Sequence, residues 1–152
     1  MKSTLPPFAV MPLLLMARKF MENAPSRSFG FETVYLNRWW LVKDDDGGNV
    51  YLHQMMRSDQ DPEYHDHEFE GSMSILLDGK MREYMPDGMR VLVPGDVVVR
   101  GALDRHRIEI DAPTTSLFIT GPRDATRKWG FWNETGMFTP SAEMFLTRYG
   151  QE

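Results

Sequence analysis

The chain has 152 residues, enough for one domain with a sizeable core, and its 41% hydrophobic and 26% charged residues are ordinary for a globular protein. Its net charge of −5 speaks against general nucleic-acid binding, which needs a basic footprint, and against an anionic membrane surface. It holds no cysteine, so disulfides, thiolate metal sites and cysteine nucleophiles are excluded, and any transition-metal site has to use histidine and carboxylate. That composition suits a reducing cytoplasm, the expected location.

Residues 8–16 are apolar, but they fall far short of the roughly 20 residues that cross a bilayer. Arg18 and Lys19 follow directly, unlike a secretory leader. The segment reads instead as a short amphipathic helix over 13–22, opened by Pro12, where proline is tolerated, and ended by Asn23-Ala24-Pro25. From residue 31 the character changes. Residues 31–42 are rich in aromatic and β-branched side chains, residues 44–49 make a turn, and 50–57 form a second strand of the same hairpin. A polar loop at 58–64 follows. Residues 72–77 and 80–84 flank Asp78-Gly79, which signals a tight hairpin. Pro86-Asp87-Gly88, Pro94-Gly95-Asp96 and Asp111-Ala112-Pro113 separate further short strands at 91–93, 97–99, 106–110 and 116–120. Short strands at regular spacing, broken by Gly and Pro turns, predict an all-β sandwich or closed barrel. Only the first 24 residues and 141–146 look helical.

Three of the four histidines carry the chemistry. His65 and His67 stand two apart, and on a strand that spacing puts both imidazoles on one face. Two neutral imidazoles inside a barrel are poor core residues unless something satisfies their nitrogens, and a metal ion does so. His106 is the remaining histidine in a late strand. If it faces inward, Ile108 and Ile110 do too, while Arg107 and Glu109 face water. An isolated His-x-His is a weak signal, and the acidic run 61–70 is equally consistent with a solvated loop.

The surrounding residues resemble the cupin superfamily, of the RmlC-like jelly-roll type. His65-Asp66-His67 and Gly79 follow the order of the first cupin motif; Gly88, Pro94-Gly95-Asp96 and His106 follow that of the second. The likeness covers roughly residues 34–122. It extends to a group of small uncharacterised bacterial metal cupins through His106-Arg107-Ile108-Glu109-Ile110, Gly121-Pro122-Arg123 and Trp129-Gly130-Phe131. The resemblance implies a jelly-roll barrel, a double-stranded β-helix, over 31–140, with an N-terminal arm and helix at 1–30 and a tail at 141–152. It implies one divalent metal (iron, nickel, manganese or zinc) on His65, His67 and His106. Two departures stand out: Ser72 occupies the place of the motif's glutamate, and Ile110 that of a frequent asparagine.

Without the glutamate the site is a three-histidine one, like those of thiol dioxygenases and some diketone-cleaving dioxygenases. Three neutral ligands leave a divalent charge uncompensated, which favours a small anionic ligand. Glu70 is a candidate fourth ligand if a bulge reverses its parity. His53 and Glu83 are candidates to orient a ligand histidine by hydrogen bonding. Arg57 and Arg100 are candidate carboxylate clamps, since guanidinium matches carboxylate bidentately. Their ordinary alternatives are a core histidine, a cross-strand charge partner and surface ion pairs. A dioxygenase-like or other metal-dependent enzyme is expected, with a non-catalytic small-ligand-binding or sensor cupin as the rival. Of the adjacent Trp39 and Trp40, one faces outward as a candidate dimer contact, and a homodimer is expected by analogy with other cupins.

Overall fold

Antiparallel strands in three sheets are the main regular structure of the computed structural model, which describes residues 1–44 and 46–149. Asp45 of the first turn and residues 150–152 of the tail lie outside the described residues. In chain order the elements are β1 (Lys2–Thr4), α1 (Pro7–Asn23), β2 (Arg27–Phe29), β3 (Leu36–Val42), β4 (Val50–Met55), β5 (Tyr64–His65), β6 (Gly71–Asp78), β7 (Met81–Met85), β8 (Gly88–Leu92), β9 (Asp96–Gly101), β10 (Arg107–Glu109), β11 (Thr114–Thr120), β12 (Gly130–Trp132), β13 (Phe138–Pro140) and α2 (Ser141–Tyr149). A seven-stranded sheet runs β1-β9-β6-β11-β4-β3-β2. Two three-stranded sheets, β10-β7-β8 and β13-β12-β5, complete an all-β jelly-roll barrel with a short N-terminal helix.

Strand alternation gives the large sheet two different faces. Directly opposed residues share a face, and the pairs Trp39–Leu52 and Ile75–Val97 belong to one buried cluster with Leu14 and Ala17 of α1. The helix therefore covers the outer face. The alternate residues, among them Arg38, His53, Ser74, Val98, Arg100 and Phe118, point into the barrel. There Leu76 and Val98 meet Leu92 of β8 and Met81 of β7.

Three local expectations are corrected. The helix starts at Pro7 rather than Pro12, with Pro7 in the first turn and Pro12 inside the helix. Pro7 lacks only an amide that would have no intrahelical partner, whereas Pro12 forgoes one bond that the packing of Leu14 and Ala17 outweighs. Asp78-Gly79 is not a hairpin: β6 pairs with β9 and β11, while β7 pairs with β8 and β10. Gly79 instead turns the chain from one sheet to the other at φ 87°, where a Cβ would stand 2.7 Å from the Thr114 methyl. Of the two tryptophans, Trp39 lies on the outer face, but α1 covers it and its Nε1 donates to Ala24 O at 3.2 Å, so no dimer contact is left there. None of the helices among the described residues is long and apolar enough to cross a membrane.

Candidate metal centre

His65 and His106 are joined by an antiparallel bridge in which each amide donates to the other's carbonyl at 2.9 Å. This pairing of β5 with the residue that precedes β10 sets their rings 4.6 Å apart by centroid. His67, two residues on, turns to the same side, 5.1 Å from His65 by ring centroid. Asp66 between them turns the other way. It is buried and accepts from Gly130 N at 2.8 Å and Trp132 Nε1 at 3.2 Å, while Arg127 Nη2 stands 3.4 Å away. The tail segment at 129–132 therefore clamps the His-Asp-His run through its central residue. Arg127 adds a bond to His67 O at 2.7 Å.

One ring nitrogen from each of His65, His67 and His106 lies within 4.8 Å of the others. Nε2 of His67 and Nε2 of His106 are 3.0 Å apart, about the spacing of two imidazole nitrogens each about 2.1 Å from one octahedral ion. Both side chains are held neutral. Burial, reinforced by the positive charge of Arg100, lowers His106 to about 4 despite its hydrogen bond to Glu83. Burial and the neighbouring His65 and His106 push His67 well below the ordinary histidine value. Neutral, converging ring nitrogens are the donor set that a divalent transition metal requires, so the residues present fit one.

Behind His106 stands a buried ionic network. Glu83 is 0% exposed, and its Oε1 accepts from His106 Nδ1 at 2.6 Å and from Arg100 Nε at 2.7 Å. Its Oε2 accepts from Arg90 Nε at 2.6 Å. Burial alone would raise this carboxyl, but the His106 hydrogen bond and the Arg100 and Arg90 charges hold it well below the ordinary range. The consequence is a fixed tautomer: Nδ1 of His106 donates to the carboxylate, and Nε2 keeps its lone pair toward His67. Behind His65 stands Asp59, with Oδ2 3.7 Å from His65 Nδ1. That oxygen also accepts from Ile108 N at 2.6 Å, and Oδ1 accepts from the Tyr35 hydroxyl. Burial and the Asp59 charge push the Tyr35 phenol well above its usual value, so it stays a donor.

The other sequence candidates divide. Glu83 reaches a histidine of the cluster. Arg100, 5% exposed, is occupied by Glu83 and by Ser74 Oγ at 2.7 Å, so it supports Glu83 and has no free fork. Arg57 donates to Thr33 Oγ1 at 3.0 Å and lies over the Tyr35 ring, away from the histidines. Glu70 is exposed and outside the cluster, and its amide donates to Pro122 O. Ser72, in the glutamate's place, is buried on the inner face and adds no charge. His53 faces inward, accepts from Arg38 Nε at 2.9 Å and stacks on Phe118 at 5.0 Å. Burial and the Arg38 charge keep it neutral.

Sequence reasoning missed Asp59, Asp66, Arg90 and Arg38. For Arg90 a signal existed: a two-residue turn at Pro86-Asp87 sets Glu83 opposite Arg90. Asp59 gave none, because it sits in a polar loop and acts through tertiary contacts.

No family model and no curated protein matches the chain. Solved structures do. The DMSP lyase DddQ from Ruegeria pomeroyi DSS-3 superposes with TM-score 0.62 at 19% identity, over 83% of this chain and 70% of that one. Fe(II) HppE gives TM-score 0.55 at 11% identity, over 65% of this chain, which spans only 57% of that enzyme. A cupin superfamily protein from Desulfitobacterium hafniense gives TM-score 0.52 at 19% identity, over 80% of this chain and 98% of that one. At such identities the likeness shows the fold and carries no substrate. The fold of this chain is that of the cupin superfamily, with three histidines gathered inside the barrel.

Proposed function

We propose that this protein is a metal-dependent enzyme in which His65, His67 and His106 hold one divalent transition metal and a small anionic molecule binds beside it. The observation that carries this reading is the convergence of three imidazole nitrogens within 4.8 Å, with His106 aimed by the buried Glu83. A divalent metal bound there supplies Lewis-acid or redox chemistry toward a small coordinating molecule. The chain's own residues do the rest. Glu83, with Arg90 and Arg100 behind it, orients His106; Asp59, held by Tyr35 and Ile108 N, stands behind His65. Three neutral ligands leave the ion's positive charge to be met by the substrate, which favours an anion. Phe118 and Phe131 flank the cluster, at 6.1 Å from His67 and 6.2 Å from His65 by ring centroid, and limit its access to water.

The test is oxygen consumption by the iron-loaded protein against small thiols, diketones and 2-oxo acids. Product analysis without oxygen runs alongside, because one structural neighbour is a lyase. Turnover of one class that is lost in His67→Ala supports the enzyme. Binding of such molecules with no turnover under either atmosphere contradicts it and favours a sensor or storage cupin. We place the protein in the cytoplasm as a homodimer. On α1, Phe8 is 80% and Leu15 56% exposed, an apolar stripe suited to a second copy. Light scattering at micromolar concentration should give twice the 17.6 kDa chain mass, and a monomer would contradict the dimer.

A further inference from the structure

Arg27 on β2 and Arg38 on β3 face each other directly across an antiparallel pair. Like charges in that position repel. The chain has 22 acidic residues against 17 basic ones, yet among the described residues neither guanidinium has a carboxylate partner. Arg38 is half-buried on the inner face of the large sheet, and burial disfavours its charge. Its Cζ stands 4.9 Å from the Phe29 ring centroid, 4.5 Å from Tyr51 and 5.7 Å from Trp40. Aromatic faces offset part of that cost but leave the positive charge uncancelled. Its one hydrogen bond among the described residues runs from Nε to His53 Nε2, at 2.9 Å. The two terminal nitrogens remain as a planar fork.

A succession of side-chain contacts leads from Arg38 to the histidine cluster. His53 stacks on Phe118 at 5.0 Å, and Phe118 stands 6.1 Å from His67. One aromatic ring thus separates the neutral partner of Arg38 from a proposed metal ligand. A cation turned inward, walled by aromatics, paired with a second cation and lacking a counter-ion suits an anion that arrives from solution.

We propose that Arg38, assisted by Arg27, binds the carboxylate end of a small organic anion whose other end reaches the three-histidine cluster. This inference rests on the metal-dependent reading for that other end only. Arg38 is a substrate-positioning residue, and with Phe29, Trp40 and Tyr51 around it the site suits a carboxylate carried on a short apolar chain.

Calorimetric titration tests this with the straight-chain dicarboxylates malonate to adipate, and with the matching neutral diamides, against metal-loaded and metal-free protein. At least one dicarboxylate should bind the wild type. Arg38→Met should weaken it tenfold or more, and Arg38→Lys should recover part of the loss, with metal content unchanged in both. The diamides should not distinguish wild type from variants. Should Arg38→Met fail to fold, the 15Nε resonance of Arg38 in the wild type gives the same answer, because it should shift as the dicarboxylate is added. Dicarboxylate binding that is absent from the wild type, or equal in wild type and variants with that resonance unmoved, overturns the proposal. A wild type that takes up no metal sinks the metal reading instead, and a shift of the Arg38 resonance in that metal-free protein still upholds the Arg38 anion site.

Discussion

In the proposed metal centre, Glu83 decides how well His106 serves as a ligand. Removing the charge of a carboxylate that orients a ligand histidine typically weakens metal binding by about 10- to 100-fold. Glu83→Gln should show that loss in chelator competition, together with destabilisation of about 3–5 kcal/mol as the buried Arg100 loses its counter-charge. Unchanged metal affinity would contradict the role given to Glu83. The histidines also make stability depend on pH. Burial and the Arg100 charge lower His106 from the ordinary histidine value of 6.5 to about 4 in the folded protein, and burial lowers His67 and His53 in the same direction. Between those two values the unfolded chain binds the extra proton, so stability of the metal-free protein is full above about pH 6.5 and falls as the pH drops toward 4. His106 alone accounts for a loss on the order of 3 kcal/mol. Urea midpoints measured at pH 7.5, 6 and 5 should fall in that order, and a flat profile would contradict the buried neutral state. His65, His67 and His106 were legible in the sequence because a two-residue spacing and parity along a strand are local facts. Asp59 and Arg38 were not, because what they do depends on which strands become neighbours.

At the scale of elements, α1 is part of the barrel's construction. Leu14 and Ala17 are buried against Trp39, Leu52, Ile75, Leu77 and Val97. Leu14→Ala should cost about 2–5 kcal/mol, read in urea unfolding. Metal stoichiometry should stay the same, because this cluster lies on the face of the sheet away from the histidines. A cost below about 1 kcal/mol would mean that the helix does not close the outer face. The longer strands were predictable from their turns. β1, β2, β5, β12 and β13 have two or three residues each and exist through their partners, so propensity could not mark them. Asp78-Gly79 misled for a related reason: a glycine at positive φ serves a change of sheet as well as a hairpin.

At the scale of the molecule, the two ends of the chain converge on the fold from opposite directions. β1 extends the large sheet beside β9, while β12 and β13 add to β5 and α2 packs behind them. Arg148 of α2 pairs with Asp61 and Glu63 just before the histidine run, so the tail braces the loop that carries His65 and His67. An ion that binds only the folded protein adds stability by mass action, about 2.7 kcal/mol at a hundredfold excess over its Kd.

The central claim is that one ion sits on His65, His67 and His106. Elemental analysis of the purified protein, after reconstitution with iron, nickel, manganese and zinc in turn, beside His65→Ala and His106→Ala variants that remain folded, tests it most directly. The account predicts close to one equivalent of a divalent transition metal in the wild type, lost in both variants. No bound metal in the wild type under any of these conditions, or undiminished metal in both variants, would contradict it.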